Sequence, residues 1–154
     1  MRVTLVLICG LIAIASVRAE TIDEELSRRS GVAVRDLGFM LEDCNGAQSS
    51  QTLCALKMLI EAEHRLAANI AALPPSCAAR AREALPEWQR HRDDRCVQEA
   101  DDEAAGGSMW RAVLYICVMG ETSAHASVVA RDCVDARPGA QPRVAPPEGR
   151  TPHA

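Results

Sequence analysis

Aromatic side chains are nearly missing from this 154-residue chain: Phe39, Trp88, Trp110 and Tyr115 are the whole complement. Much of the remaining apolar content is alanine, so the sequence can build only a thin core and needs support besides burial. No segment alternates apolar and polar residues as a half-buried strand does, which leaves an all-α reading. Motifs of catalysis are also missing. There is no Gly-x-Ser-x-Gly elbow, no phosphate-cradling loop and no His-Glu-x-x-His zinc helix. His64, His91, His125 and His153 are single and scattered, and His91 between Arg90 and Arg92 reads as a solvated basic face. Glu61 and Glu63 are close in sequence, but residues two apart point to different sides of a helix. No catalytic residue is assigned, and an enzyme is not expected. Closely spaced pairs such as Cys-x-x-Cys do not occur either, so neither a metal nor a cofactor is expected.

What is present begins at the N-terminus. Arg2 precedes an apolar run over 3–17 broken only by Thr4, Gly10 and Ser16, and Val17-Arg18-Ala19 follows. This pattern predicts a signal peptide over 1–19, cut after Ala19. A run of that length is too short to cross roughly 30 Å of hydrocarbon as a helix, so no membrane span is expected after cleavage. Export removes Cys9 from the 7 cysteines and leaves an even set in an oxidising compartment, which favours disulfides. Export also removes Arg2 and Arg18, leaving 15 of 17 basic residues against 21 acidic ones, a formal net charge of −6. That balance argues against nucleic acid and suits a basic partner.

Helix signals then order the chain. Thr21 to Glu24 has the form of a capping box opening a short helix toward Arg29, interrupted by Gly31. A second short helix is expected over 34–43, with Leu37, Met40 and Leu41 on one side. Asn45-Gly46 turns the chain, and Ser50 is the expected cap of a long helix through Leu73. Its apolar face is Leu53, Leu56, Leu59, Ile60, Leu66, Ile70 and Leu73. Pro74-Pro75 ends it, and Ser76 is the expected cap of the next. Pro86 should kink that helix or split it near Ala84. Gly106-Gly107 stops it, Ser108 is the expected cap of a last helix, and Trp110, Val113, Leu114, Cys117, Ala124 and Val128 form that helix's apolar stripe. Residues 134–154 are rich in Pro, Gly, Ala and Arg without apolar period, a composition that predicts a disordered tail. The expected organisation is therefore a leader over 1–19, an N-terminal helical segment over 20–43, a helical domain over 44–133 and the tail. About three main helices would form a disulfide-crosslinked antiparallel bundle.

The Gly106-Gly107 turn organises the cysteines. Cys96 lies ten residues before Gly106 and Cys117 ten after Gly107, so a hairpin brings them level. Cys77 lies 29 before Gly106 and Cys133 26 after Gly107, a mismatch of roughly 4.5 Å along a helix. Cys44 and Cys54 remain and close a short loop. Six cysteines allow many pairings, and the symmetry about the turn favours 44–54, 77–133 and 96–117. Trp88, Arg92 and Cys96 recur every fourth residue on one stripe, which places Arg92 inward. A buried guanidinium needs a partner, and Glu63 and Glu121 fall on the facing stripes as candidates for a structural ion pair. Glu99, Asp101, Asp102 and Glu103 crowd the end of the same helix, where acids oppose the dipole, and form the candidate partner-binding cluster.

Trp88-x-x-x-Arg92-Asp93-x-x-Cys96, then Gly106-Gly107-Ser108, then Tyr115-x-Cys117 with Thr122, resembles the LprI-like lysozyme-inhibitor family. Cys44, Gln51 and Cys54-Ala55 resemble that family's opening. The departures lie at Glu63, Ala67, Ile70, Leu85, Pro86 and His125, and Cys77 with Cys133 are additions. The resemblance implies a small secreted or periplasmic helical protein of the bacterial envelope. Such a protein would bind a basic partner, lysozyme first, and inhibit by occlusion without chemistry. The alternative is a structural or stress-related envelope module that inhibits nothing.

Overall fold

The computed structural model describes residues 20–135, all of whose regular structure is helical: α1 (Ile22–Ser30), α2 (Val34–Leu41), α3 (Gln48–Ala71), α4 (Pro75–Ala104) and α5 (Trp110–Asp135). The expected signal peptide over 1–19 and the expected tail from 136 onward lie outside the described residues. Val134 and Asp135 belong to α5, so the helix extends past the expected boundary at 133.

Local chemistry sets most of the helix ends. Glu24 N donates to Thr21 Oγ1 at 3.2 Å and Thr21 N to Glu24 Oε2 at 2.8 Å, the reciprocal pair of a capping box. Three serine caps expected from sequence are corrected. Ala47 precedes α3 and Pro74 precedes α4, both in extended backbone without a side-chain cap, and Ser50 and Ser76 fall inside the first turns. Pro75 at the first helical position explains the second case, because its missing N–H is not needed there. Ser108 lies in the turn, and α5 begins with Trp110 N donating to the Gly107 carbonyl.

The expected split at Pro86 does not occur; α4 runs through it for 30 residues. Pro86 is exposed, so the carbonyl it deprives of a donor lies on the hydrated side of the helix. Ala105 and Gly106 both take positive φ, 44° and 73°, to end α4. Gly107 follows because a Cβ there would sit 2.9 Å from the Ala104 carbonyl oxygen.

All three favoured cysteine pairs are bonded: Cys44–Cys54, Cys77–Cys133 and Cys96–Cys117, with Cα separations of 5.8, 5.8 and 5.6 Å. Bridges at both ends of α4 and α5 mean that these helices run in opposite directions. The core divides along their length. Near the turn, Leu53, Leu56, Leu59 and Ile60 pack with Val118 and Cys96, and Leu26 and Leu37 of the short helices close that end. Toward the other end, Leu66 and Ile70 cluster with buried Ala78 and Ala126 among the described residues, with Leu85 and Trp88 beside them. Alanine gives that half little bulk, and Cys77–Cys133 supplies a crosslink there. α3 and α5 share both clusters in the same order, so they run parallel.

The α5 stripe differs from the one expected. Among its described side chains, Ala112, Val118, Thr122 and Ala126 are the buried positions, whereas Ala124 is exposed and Val128 is 38% exposed. A polar residue, Thr122, occupies the inward line, and apolarity alone points away from it.

Candidate functional site

Arg92 faces inward as its stripe requires and is 5% exposed. Its partners are not Glu63 or Glu121. Nη1 donates to Thr122 Oγ1 at 2.9 Å, Nε donates to Asp93 Oδ1 at 2.8 Å, and Nη2 lies 2.7 Å from the same oxygen. The guanidinium also stands 5.1 Å from the centroid of the Trp88 ring, a cation–π contact, and that ring stacks on His125 at 3.9 Å. The two glutamates are engaged elsewhere. Glu63 holds Arg29 of α1 at 2.7 Å, and Glu121 holds Arg95, one turn nearer the tip than Arg92, at 2.5 Å. The ion pair thus ties α4 to α5 through a neutral hydroxyl and uses the sequence neighbour of Arg92 as counter-ion. Each guanidinium nitrogen is directed at a protein oxygen.

The acidic tip is where the helix end predicts it. Glu99, Asp101, Asp102 and Glu103 occupy the last turns of α4, and all four are exposed. They follow Cys96, which is 0% exposed and bridged to Cys117, so their backbone is anchored to α5 from below. Asp101 also serves the fold, because its Oδ1 accepts a 2.7 Å hydrogen bond from Trp110 Nε1. That contact closes the tip across the glycine turn. Glu99, Asp102 and Glu103 present their carboxylates to solvent.

A second polar cluster is invisible to helix-face reasoning. Glu25 of α1 is 8% exposed and receives His64 Nε2 at 2.7 Å and Arg29 Nη2 at 2.6 Å. Arg29 in turn reaches Glu63, so α1 is clamped to α3 by a chain of alternating charges. Burial acts to raise the pKa of the Glu25 carboxyl, but the His64 hydrogen bond and the Arg29 charge outweigh it and hold the group below its ordinary value. His64 is therefore not the solitary histidine that its sequence position suggests. The i, i+4 spacing of Glu25 and Arg29 was the available signal; the reach to α3 was not.

Among the described residues no group of three or more His, Cys, Asp or Glu is arranged to hold a metal ion. One described helix, α5 over Trp110–Val129, is long and apolar enough to cross a membrane by length and composition. Its buried line packs in the core, and two bridges bind it to α4, which carries charges along its whole outer face. Inserting α5 would carry those charges into hydrocarbon. Searches against protein-family models, curated proteins and solved structures found no match for this chain.

Proposed function

We propose that this chain is an exported binding protein that occludes a basic partner through its acidic tip, with lysozyme as the first candidate. The carrying observation is the placement of four exposed acids in the turns that follow Cys96, which is buried and bridged to Cys117. A crosslinked turn loses little conformational entropy on binding, and an acidic patch steers a cationic target. The antiparallel disulfide bundle is the scaffold for that presentation, and no chemistry is required of it. Resemblance to the LprI-like family supports the same reading through the Trp88, Arg92, Cys96 and Gly106-Gly107 frame. Three disulfides support a periplasmic or secreted location, with the leader cut after Ala19.

The second reading, an envelope module that inhibits nothing, draws on Asp101. Part of the tip's charge closes the fold against Trp110. Purified oxidised protein in a lysozyme turbidity assay separates the two: the first reading requires dose-dependent protection of cell walls, and the second requires none.

A further inference from the structure

We propose that a cleft between the N-terminal helices and the α3–α5 pair binds a small amphiphilic anion, a carboxylate carried on an aliphatic chain. The cleft measures about 360 Å³, inside the range of small-molecule sites, on the order of 300–1,000 Å³. Its floor is apolar. Leu53 and Leu56 of α3 form the base, and Val32 and Met40 of the N-terminal segment make the side wall.

The mouth has the opposite character. Two arginines line the cleft, and they are not equivalent. Arg29 is neutralised by Glu25 and Glu63. Arg111, in the first turn of α5, has no acidic partner within 4.0 Å among the described residues. Thr52, Ser108 and Tyr115 add hydroxyls to the lining of the same cleft. Because α3 and α5 run parallel, their first turns stand on the same side of the molecule, and the positive ends of both helices add to the Arg111 field.

An apolar floor under one unmatched cation selects a ligand on two counts. An inorganic anion would satisfy Arg111 and leave the floor wet. A neutral or cationic chain would cover the floor and leave the guanidinium without a counter-charge. A carboxylate on an aliphatic chain meets both, and the guanidinium can hold it by charge-assisted hydrogen bonds. This site shares no residue with the acidic tip and does not depend on binding of any basic protein.

Titration calorimetry on the oxidised protein with decanoate, kept below its self-association concentration, tests the proposal. The expected result is saturable binding of one decanoate per chain, with 1-decanol and decyltrimethylammonium weaker by about tenfold or more. Arg111→Gln should weaken decanoate by about tenfold and leave decanol unchanged. Arg111 is exposed, so that variant should melt with the parent, which circular dichroism checks. Ser49→Phe, placed at the cleft lining, should weaken decanoate and decanol alike. Absence of saturable decanoate binding, or equal decanoate affinity in Arg111→Gln and parent, overturns the proposal.

Discussion

Thr122 Oγ1 joins two helices with one atom: it accepts from Arg92 Nη1 at 2.9 Å and donates to the Val118 carbonyl at 2.6 Å. Thr122 is 0% exposed, so no water can replace either partner. The hydroxyl thus turns the spare capacity of a helical carbonyl into an anchor for a buried guanidinium.

Thr122→Val keeps the shape and removes the acceptor, leaving one buried Arg92 donor unmatched. The expected cost is about 1–3 kcal/mol, read as a lower urea midpoint at unchanged slope. Thr122→Ser should fall close to the parent. Arg92→Ala should cost a similar amount and not the larger penalty of an orphaned buried carboxylate, since Asp93 is 55% exposed and stays hydrated. A Thr122→Val protein that unfolds with the parent would show that this link carries no stability.

Glu25 gives the stability a defined acid response. Its folded pKa lies below the ordinary value of 4.5. The linked stability is therefore fully present above the unfolded value and is lost as pH falls through the folded one. Between neutral pH and the unfolded value this group contributes no slope. Below about pH 4.5 the parent should lose stability more steeply than Glu25→Gln. Glu25→Gln should also be the less stable protein at neutral pH, because Arg29 and His64 lose their shared carboxylate. Parallel stability curves for the two proteins through the acid range would contradict the assignment.

The Asp101–Trp110 contact should report on the closure of the tip. Asp101→Ala frees the indole N–H, and the Trp110 component of the emission should shift to the red and become easier to quench. Asp101→Asn retains an oxygen acceptor and should leave the emission near that of the parent. Identical quenching of Asp101→Ala and parent would mean that the turn is held without this bond.

How far the sequence reveals this architecture depends on the range of the interaction. The cysteine pairs are legible because Cys96 and Cys117, and then Cys77 and Cys133, stand almost symmetrically about one glycine turn. Most of the α3 stripe is legible because large aliphatic residues mark it: Leu53, Leu56, Leu59, Ile60, Leu66 and Ile70 are all buried, whereas Leu73 falls past the helix end at Ala71 and is only half-buried. The α5 stripe is not, because its inward line includes Thr122, whose place is decided by Arg92 on another helix. Glu63 reads as a partner for Arg92 until α1 is placed, and then Arg29 takes it. Ser50, Ser76 and Ser108 read as caps by residue type, whereas the caps follow where the backbone leaves extended geometry. The cleft around Arg111 has no local signal at all, since four separate segments line it.

Export and oxidation make a joint prediction. Mature protein should begin at Glu20, and its three bridges should make it six hydrogens lighter than the reduced form. Peptide mapping without reductant should recover Cys96 joined to Cys117. Free thiols on those two residues in folded protein would remove the rigid support of the tip.

The proposed function stands on capture of a basic protein by Glu99, Asp101, Asp102 and Glu103. Changing all four to their amides removes the charge and preserves the shape, and the amide at 101 keeps an acceptor for Trp110. The decisive measurement is the association rate with lysozyme across a series of salt concentrations. The parent should associate more slowly as salt rises, because screening shortens the reach of the acidic field. The tetra-amide protein should fold normally, associate more slowly at low salt and show little salt dependence. Equal rates for parent and tetra-amide protein, or no association of the parent at high micromolar concentration, would contradict capture by the tip.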